Sequence, residues 1–460
     1  MKSVTAVHPA TLHAPGFPER AVRARARTGT AEAFPSTEDY GARLFGAGAG
    51  APDDLAGPPQ VCDDLDLARL APPVFMPQRL EKLIELGREP LYDDVELETG
   101  IGGFRSTLPV YLSAFGSTRA GSGDLGIAAS RQAARLGIPM VIGENAVPVH
   151  GYRGGASGEL PVLLARIRAY CEHAADAAGG VVVQQSTEDA DAEVWNLVYS
   201  DPAAQPLLET GRLGFELKIG QGAKPGLGGM TVVDAREAEE LRKRFAVREV
   251  FGGSAGELLR CATPGTFTEE IVRQQLRFMR NNFPRARVWV KFHPGRDIAA
   301  AADTAWRAGA DAVCVDGAQG GSGWAPRVFL GQVGLPLAEC LRRIGPPSGG
   351  LLASGRMWEG GRAVRALALG ASAVGLGRAA LLAVDEDRAD GLVRLAECLA
   401  LELRLLISAL GKYSPAALCP DDLWWPGTRT PEPEVLGRHS PAVQQGPVFD
   451  EAASSSGGRP

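Results

Sequence analysis

Eight short apolar runs, separated by helix-like stretches, constrain the fold of this chain more than any other feature of its sequence. In chain order the runs are PVYLSAF (109–115), PMVIG (139–143), GVVVQQ (180–185), GFELKIG (214–220), VWVKF (288–292), ADAVCVD (310–316), GLLAS (350–354) and SAVGLG (372–377). Near-continuous apolar runs are typical of parallel strands that are buried on both faces. Eight such strands alternating with helices predict an α/β fold, a closed (β/α)8 TIM barrel. An open doubly wound sheet is the main alternative.

The stretches between the runs have helical features. Residues 129–137, 299–310 and 360–371 are examples, and the first and third end at or near a glycine that can stop a helix. The leucine-rich stretch 390–411 predicts a packing helix after the last strand. The long gap between the fourth and fifth runs, about residues 223–287, is expected to hold an inserted loop over the barrel mouth.

Composition divides the chain into four parts. Residues 1–36 are rich in Ala, Arg and Pro and predict a flexible N-terminal arm, and residues 428–460 predict a flexible C-terminal tail. Residues 37–108 are expected to be an extension that packs on the barrel, and residues 109–427 the barrel itself.

Charge and hydropathy exclude several classes of protein. The net charge is −6 without a long run of one sign, which argues against a nucleic-acid or membrane-surface partner. No stretch of about eighteen apolar residues is present, so a membrane-spanning helix is not expected. The opening MKSVTAVHPATLHAPG lacks the apolar core of a secretory signal, which predicts a cytoplasmic protein.

The seven cysteines are scattered, and no pair has the close spacing of a zinc or iron–sulfur site. They are expected to be free thiols in a reducing compartment. Cys171 and His173 are close in sequence, but two ligands do not make a metal site. We therefore expect no bound metal.

Two glycine-containing turns in the last third of the chain point to phosphate binding. Ala-Ser-Gly-Arg (353–356) follows the seventh run and Gly-Leu-Gly-Arg (375–378) follows the eighth. Barrel enzymes often bind phosphate in the loops after strands seven and eight, where backbone N–H groups approach an anion. The guanidinium group of Arg356 or Arg378 could bind the phosphate through two charge-assisted hydrogen bonds. The alternative is two ordinary turns with solvated arginines.

Two further loops also follow buried strands. Asp316–Gly323 contains four glycines, which suits close backbone approach to a ligand or, alternatively, a mobile loop. Lys218 and Lys291 lie within apolar runs, where a lysine needs a partner, either a bound ligand or an internal salt bridge. Gln221 and Lys224 follow the fourth strand at the face where barrel active sites lie, and a lysine there can hold a substrate carboxylate.

The segment Gly121–Gly126 spells GxGxxG, but the preceding strand is expected to end near Phe115. A dinucleotide fingerprint needs its first glycine directly after a strand. A loop leading into a helix is therefore favoured over a Rossmann turn.

Three motifs carry a specific resemblance. KIGQGAKPG (218–226), GAQGGSG (317–323) and ASGRM (353–357), together with the order of the segments between them, resemble the FMN-binding synthase domain of glutamate synthase over about residues 75–425. The resemblance implies a barrel with FMN across its mouth. The cofactor-binding residues expected from the loops and the resemblance are Ser113, Ala114, Phe115, Lys218, Lys291, Asp316, Gly317, Gln319, Gly320, Gly321, Ser354, Gly355, Arg356, Gly375, Gly377 and Arg378.

The resemblance also implies which residues hold the substrate and take part in the reaction. Residues matching Gln221 and Lys224 hold 2-oxoglutarate in the family, and a glutamate matching Glu144 lies near the reacting centre. The implied activity is hydride transfer at flavin N5 to or from a small amino, imino or keto acid. Glu144 would handle the proton or hold the amine.

Departures from the family pattern modify these expectations. The family's cluster of three cysteines is missing from 381–390, so no iron–sulfur cluster is expected and an electron-transfer partner subunit is a candidate. The glutaminase domain is not found. The loop Gly-Glu-Asn-Ala (143–146) and Leu227 differ on the substrate side and suggest an amino or imino acid other than the family's substrate, and Arg356 replaces a glycine. The alternatives are a catalytically degenerate barrel that acts as a binding subunit and an FMN-dependent non-redox isomerase. A homo-oligomer is compatible with the sequence.

Overall fold

The computed structural model describes most of the barrel and part of the N-terminal region. The described residues are 12–34, 63–115, 124–143, 162–174, 177–186, 193–222, 231–243, 245–249, 257–261, 266–321 and 325–427. Before the barrel, the elements in chain order are α1 (Glu19–Thr28), α2 (Asp64–Leu67), β1 (Arg69–Leu70), α3 (Pro77–Leu86), β2 (Thr99–Ile101) and β3 (Phe104–Ser106).

The barrel follows, with one insertion after its fourth strand. In chain order its elements are β4 (Val110–Phe115), α4 (Asp124–Leu136), β5 (Pro139–Ile142), α5 (Val162–Cys171), β6 (Gly180–Gln185), α6 (Val194–Ser200), α7 (Gln205–Glu209), β7 (Leu213–Lys218), β8 (Thr231–Asp234), α8 (Ala235–Leu241), β9 (Ala246–Arg248), β10 (Glu257–Cys261), α9 (Glu269–Asn282), β11 (Arg287–Phe292), α10 (Ile298–Arg307), β12 (Ala312–Asp316), α11 (Arg327–Leu330), α12 (Leu337–Ile344), β13 (Gly350–Ser354), α13 (Gly360–Ala368), β14 (Ala373–Leu376), α14 (Arg378–Glu386), α15 (Gly391–Ala409) and β15 (Leu423–Trp424).

Eight of these strands close into a parallel barrel in the order β11, β12, β13, β14, β4, β5, β6 and β7. Each of the eight apolar runs overlaps with one barrel strand, so the predicted (β/α)8 barrel is confirmed and the open sheet is wrong. The strands are buried over most of their length because helices cover their outer faces while side chains fill the interior.

The β2–β3 hairpin closes the N-terminal end of the barrel. Ile101 and Phe104 join the interior core beside Trp289 and Tyr111. The ring centroids of Phe104 and Trp289 lie 5.6 Å apart, and the Trp289 indole N–H donates to the carbonyl oxygen of Gly102 at 2.9 Å. Because this end is filled by side chains, the space for a ligand lies at the carboxyl ends of the strands.

The insertion between β7 and β11 differs from the expected loop. Strands β8, β10 and β9 form a three-stranded antiparallel sheet, and α8 packs on it. Val233, Leu241 and Leu258 belong to its own small core. The strands are only three to five residues long, which is too short for periodicity to separate them from a loop.

The N-terminal arm also differs from expectation. Within residues 1–36, helix α1 packs against α14 and α15 at the outside of the barrel. Its sequence ERAVRARART has little apolar content, and it is held largely by ion pairs with distant carboxylates. The predicted flexible tail, 428–460, lies outside the described residues.

The GxGxxG segment leads into helix α4, as favoured from the sequence. Gly121 lies outside the described residues, whereas Gly126 lies in the helix, where a side chain would overlap with Arg166. The glycine at position 126 is therefore explained by close packing against Arg166 and not by dinucleotide binding. Among the described helices, none is long and apolar enough to span a bilayer.

Candidate functional site

A pocket opens at the carboxyl ends of the barrel strands, the face at which the active sites of such barrels lie. The predicted site residues that line it are Ser113, Ala114, Lys218, Gln221, Lys291, Asp316, Gly320, Gly321, Ser354, Gly355, Arg356, Gly375, Gly377 and Arg378. The structure therefore brings together residues from six barrel strands or the loops that follow them.

One end of the pocket is built to receive an anion. Arg356 is buried and Arg378 is half-buried there, beside the N-terminus of helix α14 and its N-cap residue Gly377. Helix N-termini present unpaired N–H groups and a partial positive charge. Burial and the neighbouring positive charge of Arg356 lower the pKa of Arg378 to about 10. A bound phosphate would offset the cost of holding these two cations in a buried space.

Arg356 is fixed by the segment before the barrel. Its guanidinium donates to Asp66 of α2 at 2.5 Å, and Asp66 also accepts from Arg362 at 2.7 Å. Arg362 in turn donates to Asp63 at 2.6 Å. The backbone of Arg356 has a φ of 58°, a left-handed conformation that favours glycine. Backbone strain of this kind persists where neighbouring contacts hold the loop, and Arg362 donates to the carbonyl oxygen of the preceding residue, Gly355, at 3.0 Å.

A buried ion pair lies in the wall of the pocket. The Lys291 ammonium is 3.2 Å from the Asp316 carboxylate, with side chains 6% and 4% exposed. Burial disfavours the charged lysine, but Asp316 and Glu216 outweigh that effect and raise the pKa of Lys291. Ser354 donates to the other carboxylate oxygen of Asp316. Lys291 is therefore held charged next to the pocket.

Beneath this pair lies a second carboxyl group. Glu216 is 1% exposed, points into the barrel two residues before Lys218, and accepts a hydrogen bond from the Gln184 amide. Burial raises the pKa of Glu216, although Lys291 opposes the shift. The barrel interior below the pocket is thus polar on the β6–β7–β11 side.

Close backbone approach shapes the opposite wall. The loop after β7 meets the loop after β12 at Gly222, which has a φ of 45° and no room for a side chain because of the Gly320 carbonyl. This contact holds Gln221 at the pocket. Gly317 and Gln319, predicted to touch the cofactor, do not line the pocket. The Gln319 carbonyl instead accepts from Arg378 at 2.6 Å and so positions its guanidinium.

Three predicted residues cannot be placed against the pocket. Glu144 and Lys224 lie outside the described residues, and Phe115 is described only as the end of β4. Their predicted roles stay predictions.

Sequence reasoning missed four lining residues: Phe17, Gly143, Gln184 and Met357. Gln184 could have been found, since a glutamine inside the apolar run 180–185 needs a buried partner. Phe17 left no signal, because it belongs to a segment with no apolar period.

No group of three potential metal ligands occurs within the described ranges. Cys171 and His173 each contact a backbone carbonyl, at 3.7 Å and 3.1 Å respectively.

Comparison with known proteins identifies the second half of the barrel. Residues 207–390 match the family model described as the conserved region in glutamate synthase. An archaeal-type glutamate synthase [NADPH] of Dehalococcoides mccartyi is 30% identical over 186 residues, covering 38% of this chain and 36% of that protein. A glutamate synthase large subunit-like protein of Rhizobium meliloti is 31% identical over 182 residues, covering 38% of this chain and 40% of that protein. The match thus spans well under half the length of these relatives.

Two solved structures share the architecture. A mutant flavocytochrome b2 with benzoylformate has a TM-score of 0.51 at 17% identity, covering 85% of each chain. A mutant of the active chimera of (S)-mandelate dehydrogenase has a TM-score of 0.50 at 19% identity, covering 78% of this chain and 88% of that one. At such identities the likeness concerns the fold alone. Residues 207–390 are therefore similar to the conserved region in glutamate synthase, and they form part of a closed parallel barrel.

Proposed function

We propose that the barrel binds FMN in this pocket and catalyses an oxidation–reduction of a small amino, imino or keto acid. The observation that carries the proposal is the pairing, within one pocket, of a two-arginine anion site with a buried lysine held charged. The conserved region of glutamate synthase spans both features, since residues 207–390 include Lys291, Arg356 and Arg378.

The residues present fit the phosphate of FMN. Arg356 and Arg378 would hold it by charge-assisted hydrogen bonds, together with N–H groups at the start of α14. The space beside Gly377 is open, since a Cβ atom added there would have no neighbouring atom within 4 Å. A phosphate can therefore approach the backbone at this point. Asp66 and the Gln319 carbonyl keep the two guanidinium groups in place before any ligand arrives, which lowers the entropy cost of binding.

When bound, FMN would supply two-electron redox chemistry at its ring. Lys291 contributes a fixed positive charge. This charge would stabilise the more negatively charged state of a group bound beside it. Gln221 offers both a donor and an acceptor for the carbonyl or carboxylate of an acid. Lys224, three residues further along the same loop, would add a cation for the carboxylate.

Two parts of the reaction rest on sequence alone. Asn145, Ala146 and Leu227 replace the family's residues on the substrate side, which supports an amino or imino acid as the substrate in place of 2-oxoglutarate. The missing cysteines in 381–390 support an external electron donor or acceptor, such as a partner subunit.

The cofactor claim is tested by titrating FMN into cofactor-free protein and following the quenching of flavin fluorescence. Arg378→Gln is expected to weaken binding about tenfold to a hundredfold, since a hydrogen bond to a charged group contributes about 1.5–3 kcal/mol. The matched control is Arg307→Gln, which changes an exposed arginine on the barrel exterior. Equal affinities in both variants would contradict the assigned phosphate site.

The redox claim is tested by anaerobic addition of amino acids to the FMN-loaded protein. Bleaching of the flavin band by one class of amino acid supports the proposal and names the substrate class. If the flavin can be reduced by dithionite but by no amino acid, and reduced flavin is reoxidised by no imino or keto acid, the redox claim is wrong.

A further inference from the structure

The N-terminal segment, residues 12–34, reaches the cofactor pocket from outside the barrel. Helix α1 packs along α14 and α15, and the residues before it run towards the start of α14. Phe17 lies on this stretch, lines the pocket and is 7% exposed. The segment therefore contributes a side chain to a pocket otherwise built by the barrel.

Aromatic contact joins this segment to the anion site. The guanidinium carbon of Arg378 lies 4.6 Å from the centroid of the Phe17 ring, a distance typical of cation–π attraction. The same guanidinium donates to the Gln319 carbonyl at 2.6 Å. Phe17 therefore covers one face of Arg378 and keeps water from it, which strengthens the attraction of that cation for an anion.

Buried ion pairs hold the segment in place. Arg23, only 8% exposed, donates to Asp385 at 2.9 Å and to Glu386 at 3.1 Å, both near the end of α14. It also donates to the Leu12 carbonyl at 2.6 Å, which ties the chain before Phe17 to the same helix.

A second anchor lies two residues further along the helix. Arg25 donates to Glu402 of α15 at 2.5 Å and lies 4.5 Å from the ring centroid of Trp358. Two anchors on α1 thus fix the segment to both helices that follow the phosphate loop. Partly buried arginine–carboxylate pairs of this kind hold a definite geometry better than exposed ones.

We propose that the N-terminal segment is part of the FMN site, with Phe17 closing the phosphate end of the pocket over Arg378. The inference rests on the proposed function. Docking of α1 and binding of FMN then stabilise each other, because coupling between two binding events is reciprocal. The barrel without this segment keeps its arginines but leaves Arg378 open to water.

The first test measures the affinity of the full-length protein for FMN. Phe17→Ala is expected to raise the dissociation constant about tenfold to thirtyfold, the range that a desolvated cation–π contact implies. Phe34→Ala is the matched control, since Phe34 belongs to the same segment but is 57% exposed and does not line the pocket. Circular dichroism of the cofactor-free variant separates this effect from misfolding, and Phe17→Tyr, which keeps an aromatic ring over Arg378, is expected to restore most of the affinity.

The second test uses the anchors. Arg23→Ala is expected to weaken FMN binding although Arg23 does not line the pocket, whereas Arg20→Ala, which changes an exposed arginine of the same helix, leaves affinity unchanged. In the wild type, FMN is expected to slow tryptic cleavage at the arginines of α1.

The outcomes distinguish this inference from the proposed function. If the wild type binds no FMN, the proposed function is wrong and this inference falls with it. If the wild type binds FMN but Phe17→Ala and Arg23→Ala bind it as tightly, and FMN does not slow tryptic cleavage, only the role of the segment is wrong.

Discussion

At the scale of single residues, the pocket depends on charges that are paired before any ligand binds. Lys291 and Asp316 form one such pair and Arg356 and Asp66 another. The sequence indicated that Lys291 needs a partner but left open whether it is a ligand or a salt bridge. The structure identifies a salt bridge, and the same lysine still lines the pocket.

Removing the Lys291 charge should affect both stability and binding. Lys291→Met leaves Asp316 buried without its cation, so we expect a loss of about 3–5 kcal/mol in the free energy of unfolding, measured by urea denaturation. FMN affinity should fall as well. Lys412→Met breaks a comparable buried pair, Lys412–Asp422 at 2.7 Å, away from the pocket and is the matched control. If both variants lose stability but keep FMN affinity, Lys291 has no role in the site.

His293 gives a pH-dependent prediction. It lies in the loop after β11, and its Nδ1 has no hydrogen-bond partner within the described ranges. Burial lowers the pKa of His293 below 6.5, although Asp297 opposes the shift. The unfolded state therefore binds a proton on His293 more tightly than the folded state does. As a result, the free energy of unfolding keeps its full value above about pH 6.5 and decreases as the pH falls through the folded pKa of His293. Between about pH 7.5 and 5.5, the Tm of the wild type should fall more than that of His293→Gln. Equal decreases would show that His293 is not the cause.

At the scale of elements, the β2–β3 hairpin fixes where the ligand can lie. It fills the N-terminal end of the barrel through Ile101 and Phe104 and leaves the other end open. The sequence did not show this hairpin, because two strands of three residues carry no periodicity that separates them from a loop.

A glycine pair in the hairpin tests its packing. Gly102 has a φ of 53°, and a side chain there would overlap with the Trp289 indole. Gly102→Ala is expected to cost about 2–4 kcal/mol from overpacking and backbone strain combined. Gly100→Ala is the control, since no atom lies within 4 Å of the added methyl group. Similar unfolding free energies for the two variants would contradict the packing described here.

The contacts of helix α1 explain why the sequence did not predict this helix. Periodicity detects an apolar face, whereas α1 is held by Arg23 and Arg25 on carboxylates that lie 362 and 377 residues away in sequence. Only the folded barrel brings Asp385 and Glu402 to that helix. Pairings of this length are set by tertiary structure, so a local pattern cannot indicate them.

At the scale of the whole molecule, the alternation of apolar runs and helices was enough to predict the barrel. Parallel strands are buried on both faces, so each leaves a continuous run that a single sequence displays. The strand ends then determine which residues can meet, which is why most of the predicted loop residues line one pocket. Side-chain partners such as Asp66 for Arg356 could not be predicted, since α2 precedes the barrel and carries no motif.

The absorbance spectrum of the purified full-length protein, before and after addition of FMN, tests the central claim most directly. A flavin spectrum, with FMN released on denaturation, is the result we expect, and binding should raise the unfolding free energy by about 2.7 kcal/mol at roughly a hundredfold excess over Kd. A spectrum containing only the protein band, unchanged by FMN at any concentration and without a shift in Tm, would contradict the proposed cofactor and every role assigned to the pocket.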